Sequence, residues 1–134
     1  MLELLFRLLL GILAHFIGDY PIQSHKMATR KTIEWKWALI HAMVYGIPFL
    51  FLVQDYAQWL VIVLTHAYID HYKIADRWCR FYGVGHPGLW WTREDGEFVP
   101  PAPFIGVWLT IIVDNTFHLC INTFALSGFT LAYL

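Results

Sequence analysis

The sequence predicts an all-α fold: a polytopic membrane protein built as a bundle of four transmembrane helices, with one cytoplasmic loop or hairpin insertion before the last. Three observations lead there. Of the 134 residues 58% are hydrophobic and only 14% charged, against about 25% charged in an ordinary soluble domain. Mean hydropathy is +0.51. The apolar residues gather in four runs, predicting spans over about 2–19, 37–53, 57–72 and 104–134. Connections over 20–36 and 73–103 join them into a single membrane domain, 1–134.

Leu2 to Ile17 is apolar apart from His15 and from Glu3 and Arg7, whose long side chains can reach the interface from the first two turns. The run leads into Gly18-Asp19-Tyr20-Pro21 with no small-residue cleavage site, so it reads as a retained span rather than a signal peptide. At 1.5 Å per residue it reaches only about 24 Å, which puts His15 and Asp19 near one membrane face. The connection that follows holds Lys26, Arg30, Lys31 and Lys36 against the single acid Glu34. Trp35 and Trp37 anchor the start of the second run, where His41 is the polar outlier and Pro48 predicts a kink. Gln54-Asp55-Tyr56 is a very short turn, so the second and third spans should form an antiparallel hairpin.

Asp76 to Pro103 reads as exposed. Asp95-Gly96 between two short alternating runs suggests a β-hairpin, and Trp90 and Trp91 suit the headgroup region. The final run, Phe104 to Leu134, would make about 46 Å of helix against a hydrocarbon core of about 30 Å. It must tilt, bend near Ser127-Gly128 or begin outside the membrane. Four basic residues lie in the first connection, four in the third (Lys73, Arg77, Arg80, Arg93) and none in the second. The positive-inside rule then makes both large connections cytoplasmic and sets both termini on the opposite side. A net charge of −1 leaves no basic stripe to neutralise phosphates, which excludes nucleic acid as the partner and leaves membrane lipid. Cys79 and Cys120 stand apart and read as unpaired thiols, and a homo-oligomer is left open.

The chemistry sits in a repeated pattern. Seven of the ten acidic residues fall in termini or connections, and the other three, Asp19, Asp70 and Asp114, each have a histidine four positions away. Those pairs are His15 with Asp19, His66 with Asp70 and, in reverse order, Asp114 with His118. Residues four apart share a helix face, about 5–6 Å apart at Cβ. In the four-span topology all three aspartates come to the cytoplasmic side with the histidines one turn deeper, and His41 reaches a similar depth. A carboxylate at membrane depth costs several kcal/mol unless paired, protonated or bound to a cation. Neutral imidazole with carboxylate is a zinc ligand set, and manganese, iron or magnesium suit a larger carboxylate share. A lone His/Asp pair is more often a buried hydrogen bond than a metal site; three pairs at matched depth favour metal. Gln23 and Ser24 are candidate substrate or supporting groups, with a plain polar connection as the default. His71 should face the interface, Asp76 should pair with basic neighbours, His86 has no evident partner, and Tyr45 reads first as packing.

At these residues the chain resembles the bacterial and phage membrane proteins of the DUF3307 family. The matching elements are His15 with Gly18-Asp19-Tyr20 and Gln23, then His41, then Thr65-His66 with Asp70, then Asp114-Asn115-Thr116-Phe117-His118. Tyr20 and Asn115 depart from the family pattern but keep its chemical character. A looser likeness, at motif level only, is to membrane-bound metal-dependent hydrolases and the all-helical phospholipase C/P1 nuclease group, where such pairs bind clustered zinc. The resemblance implies a multi-pass protein of the bacterial inner, cytoplasmic membrane.

The resulting expectation is a hydrolase of lipid or other membrane-associated phosphoesters that uses two or more divalent ions, zinc first. His15, Asp19, His66, Asp70, Asp114, His118 and His41 would bind metal, with His41 and Asp70 at the chemistry; Gln23, Trp90, Trp91 and Arg93 would meet the substrate. Clustered cations would acidify a bound water and stabilise phosphoryl charge. Two other functions use the same residues. One is an ion or proton conductor with a His/Asp relay; the other is a small membrane adaptor whose metal site is structural.

Overall fold

The computed structural model describes residues 2–83 and 103–128. Every regular element among them is helical: α1 (Leu2–Asp19), α2 (His25–Arg30), α3 (Trp35–Gly46), a 3-10 turn (Pro48–Phe51), α4 (Tyr56–Tyr72), α5 (Ile74–Tyr82) and α6 (Pro103–Leu126). Local chemistry sets most of the ends. Pro21 cannot continue α1. Ser24 caps α2, its hydroxyl accepting from the Met27 N–H at 3.3 Å. Pro48 stops α3 two residues after Gly46, and the chain tightens into the 3-10 turn. Asp55 caps α4 by accepting from the Gln58 N–H at 2.9 Å, while the Gln58 side chain reaches back to the Gln54 N–H at 2.8 Å. Lys73 takes a left-handed conformation, φ 51°, which breaks α4 from α5, and Gly83 ends α5 the same way.

The chain divides into two compact units, Met1–Tyr72 with His118–Leu134, and Lys73–Phe117. In the first, Ala14, Tyr45, Phe49, Ile62, Ala125 and Leu126 form a buried core, joined by a smaller group of Ala42, Val63 and Ala67. Two glycines let its helices approach. A Cβ on Gly18 would lie 2.9 Å from the Tyr45 carbonyl oxygen, and one on Gly46 would lie 2.6 Å from Val63 and 2.9 Å from Trp59 Nε1. The indole of Trp59 also donates to the Gly46 carbonyl at 2.8 Å, locking α3 to α4. In the second unit Trp78 of α5 packs edge-on against Phe117 of α6, and Asp76 pairs with Arg80 as anticipated.

The four-span bundle is overturned. Among the described residues one helix, Phe104–Leu126, is long and apolar enough to cross a membrane. The physical reason is length and charge. α3 has 12 residues, about 18 Å of helix, because Pro48 cuts the apolar run that sequence hydropathy joins across it. α4 has 17, about 26 Å, short of a core of about 30 Å. α1 carries Glu3, Arg7 and Asp19 within its 18 residues. The multi-pass topology, with its cytoplasmic connections and both termini opposite, falls with the bundle. The connection over 20–36 contains α2, and α5 occupies the start of the stretch read as exposed. α6 ends at Leu126, with Gly128 at φ 82° just past it, where the last run was expected to bend. The Asp95-Gly96 hairpin lies outside the described residues.

Candidate metal centre

Close packing at Gly18 and Gly46 brings the polar faces of α1, α3 and α4 together. Asp19 ends α1, His41 lies midway along α3, and His66 and Asp70 face inward from successive turns of α4. Their donor atoms converge. His41 Nε2 is 3.1 Å from Asp19 Oδ1, 3.0 Å from His66 Nε2 and 3.3 Å from Asp70 Oδ2. His66 Nε2 is 3.1 Å from Asp70 Oδ2 and 3.9 Å from Asp19 Oδ1. All four side chains are buried.

Hydrogen bonding alone does not account for this crowding. One imidazole nitrogen carries either a proton or a lone pair, and so completes one hydrogen bond. His41 Nε2 nevertheless has those three atoms within 3.3 Å, together with Gln23 Nε2 at 2.9 Å and Lys31 Nζ at 3.3 Å. Asp70 Oδ2 meets three nitrogens at 2.8–3.3 Å, none in hydrogen-bonding geometry. Four donors at 2.0–2.1 Å from a common tetrahedral centre would stand about 3.3–3.4 Å apart. Five of the six donor–donor distances, 3.0–3.9 Å, bracket that edge and all lie within 4.8 Å, so two imidazoles and two carboxylates could hold one divalent cation.

Charge in the cluster is unevenly held. Burial opposes ionisation of Asp19, but the His41 hydrogen bond and the Lys31 ammonium outweigh it and hold the carboxyl well below its ordinary range. Burial likewise opposes the charge on Asp70, yet His66, His118 and His41 around it keep it ionised far below that range. Burial lowers His66 to about 3, so its imidazole is neutral. His41 is raised: burial works against its charge, and the Asp19 hydrogen bond together with the nearby Asp70 carboxylate prevails.

A second layer orients the first. His118, near the end of α6, sets Nδ1 3.2 Å from His66 Nδ1 and Nε2 3.6 Å from Asp70 Oδ1. The Tyr45 ring stacks on His66 at 3.7 Å between centroids, only 11° from parallel. Its hydroxyl accepts from Asn122 Nδ2 at 2.6 Å and lies 3.0 Å from His15 Nδ1. His15 is thus buried behind Tyr45 rather than in the quartet.

Of the residues read from sequence, Asp19, His41, His66 and Asp70 come together, His118 adjoins them, His15 stands one residue back and Gln23 touches His41. Asp114 lies in the second unit, one turn before His118 along α6. Trp90, Trp91 and Arg93 lie outside the described residues, as does His86. Ser24 is a helix cap rather than a site group. His71 sits on the Trp35 ring at 4.2 Å and meets the Lys31 carbonyl at 3.0 Å. Sequence reasoning missed Lys31 and Asn122, and read Tyr45 as packing. For Lys31 the available signal was Ser24 capping a helix that ends at Arg30, which delivers the next residue to a fixed place.

The profile of a family described as a protein of unknown function, DUF3307, matches residues 4–97. The chain belongs to the DUF3307 family. The matched stretch of this DUF3307 member contains the whole quartet with Gln23, Lys31 and Tyr45, while His118 and Asn122 lie beyond it. No curated protein and no solved structure matches the chain.

Proposed function

We propose that this DUF3307 protein is a membrane-associated, divalent-metal-dependent hydrolase of lipid or other membrane-bound phosphoesters. The observation that carries the reading is the crowding on His41 Nε2 and Asp70 Oδ2, which a shared cation relieves and hydrogen bonds do not. Asp19, His41, His66 and Asp70 would hold the ion, with zinc the first choice for a two-imidazole, two-carboxylate set and manganese, iron or magnesium the alternatives. The other Asp70 oxygen lies 3.6 Å from His118 Nε2, and these two groups would help to hold a further ion. A divalent cation in the quartet supplies an acidified water and a positive charge for phosphoryl oxygens. The chain's own residues do the rest: Tyr45, held through its hydroxyl by Asn122, fixes the plane of the His66 imidazole. Membrane association is supported by α6 and by the exposed apolar face of α1, where Leu5, Phe6, Leu9 and Leu13 point outward.

A proton or ion relay is the second reading, favoured by the unbroken series of ring contacts from His41 through His66 to His118. Elemental analysis of chelated and then zinc-reconstituted protein decides between them. The hydrolase reading expects retained zinc and zinc-dependent turnover of phosphoesters that Asp70→Ala abolishes. Protein that retains no zinc, or no turnover across a panel of lipid phosphoesters, overturns it.

A further inference from the structure

Away from the quartet, α1 carries two further charges, Glu3 and Arg7, one turn apart on one face. Arg7 stands twelve residues before Asp19, about 18 Å along the helix. A cavity of about 290 Å³ opens beside it, lined by Glu3, Phe6, Arg7 and Leu10 of α1 and by residues 51–54, where the chain leaves the 3-10 turn. All of these residues belong to one compact unit.

Glutamate four residues before a basic residue is the favourable order for a helical ion pair. Arg30 with Glu34 and Asp76 with Arg80 make such pairs at the same spacing. Among the described residues the side chains of Glu3 and Arg7 make neither an ion pair nor a hydrogen bond. Arg7 is half-buried, so a guanidinium with five N–H donors lines the cavity without a protein acceptor among those residues. Gln54 adds donors to the same wall: its amide oxygen accepts from Gln58 Nε2 at 3.4 Å, which leaves its own amide N–H groups for another acceptor.

Charge and shape together name the ligand class. A guanidinium takes phosphate oxygens two at a time, and the carboxylate one turn away takes an ammonium carried by the same molecule. Phosphoethanolamine joins those two groups through a short ethylene link. A cavity at the small end of ligand sites holds a headgroup rather than a whole lipid. Phe6 also belongs to a stripe of exposed apolar residues, Leu2, Phe6, Leu9 and Leu13, that continues along α1 from the cavity and offers acyl chains a surface.

We propose that this cavity binds a zwitterionic phospholipid, with its phosphate on Arg7, its ethanolamine ammonium on Glu3 and its acyl chains along the α1 stripe. The site is separate from the quartet and needs no metal there. Diacylglycerol lacks both charged contacts, and phosphatidylglycerol keeps the phosphate but brings no ammonium.

The experiment uses full-length protein in detergent, stripped with chelator, titrated calorimetrically with dihexanoyl phosphatidylethanolamine, dihexanoyl phosphatidylglycerol, dihexanoylglycerol and soluble glycerophosphoethanolamine. The wild type should bind phosphatidylethanolamine about tenfold or more tighter than dihexanoylglycerol, and about threefold tighter than phosphatidylglycerol because Glu3 is exposed. Arg7→Gln should lose about tenfold or more in phosphatidylethanolamine affinity, and Arg7→Lys less. Glu3→Gln should bind the two phospholipids alike, and Asp70→Asn, altered in the quartet, should bind as the wild type does. Equal phosphatidylethanolamine affinity in wild type and Arg7→Gln overturns the proposal, as does a loss in Asp70→Asn that matches the loss in Arg7→Gln. Equal wild-type binding of the two phospholipids overturns the zwitterionic ligand, and glycerophosphoethanolamine bound as tightly as the lipid overturns the lipid occupant. If Arg7→Gln does not fold, equal binding of phosphatidylethanolamine and dihexanoylglycerol by the wild type overturns the proposal instead. Each of these outcomes leaves the metal reading where it stands.

Discussion

Asp70→Asn keeps the shape of the side chain and removes its charge at the point where four nitrogens gather: Lys31 Nζ, His41 Nε2, His66 Nε2 and, on the other oxygen, His118 Nε2. Four-donor zinc sites are worth about 10–16 kcal/mol, so one donor accounts for about 3 kcal/mol, or about a hundredfold in Kd. With free zinc at about 100 times the wild-type Kd, the wild type gains about 2.7 kcal/mol of stability and the variant about 0.4 kcal/mol. For a chain of this length that corresponds to a zinc-induced rise in Tm of about 8–13 °C in the wild type and about 1–2 °C in the variant. The assay is thermal unfolding of chelator-stripped protein in detergent, with and without zinc. Comparing shifts rather than absolute Tm separates lost coordination from the cost of removing the carboxylate 2.8 Å from Lys31 Nζ. An equal zinc shift in both proteins would refute the assignment of Asp70 as a ligand.

Three further outcomes follow from the packing and the charges. Gly18→Ala drives a methyl to 2.9 Å from the Tyr45 carbonyl oxygen, so α1 must move from α3; chemical denaturation should show a loss of about 1–3 kcal/mol, and zinc affinity should fall with it because Asp19 moves too. Tyr45→Phe keeps the ring on His66 but removes the oxygen that accepts from Asn122 at 2.6 Å, costing about 1–3 kcal/mol in the same measurement while zinc affinity changes little. Zinc binding near neutral pH should release a proton, seen as a dependence of calorimetric enthalpy on buffer ionisation. The raised His41 must give up its proton to become a ligand, whereas His66, held to about 3, is already neutral; affinity therefore drops as pH falls and His41 holds its proton more firmly. Buffer-independent enthalpies would contradict the placement of that proton.

Much of the site was legible before any coordinates, for a local reason. Histidine and aspartate four apart on a helix share a face whatever the helix packs against, so His66 with Asp70 needed only the period of the α-helix. His41 was legible as the polar residue in an apolar run. The errors came from reading composition as architecture. Hydropathy counts residues but does not see Pro48 end a helix, so 37–53 looked like one span and is a 12-residue helix followed by a 3-10 turn.

The sequence by itself determined the all-helical class, the four-residue spacing of each His/Asp pair and the excess of apolar residues, because these depend on composition and on neighbours within one turn. Only the tertiary structure decided that His41 stands between Asp19 and Asp70, that Tyr45 interposes its hydroxyl before His15, and that Lys31 reaches into the cluster from a short helix in what looked like a connection. Those relations join residues ten to thirty-nine positions apart. They are set by where glycines allow backbones to touch, and a linear pattern of residues carries no record of that distance.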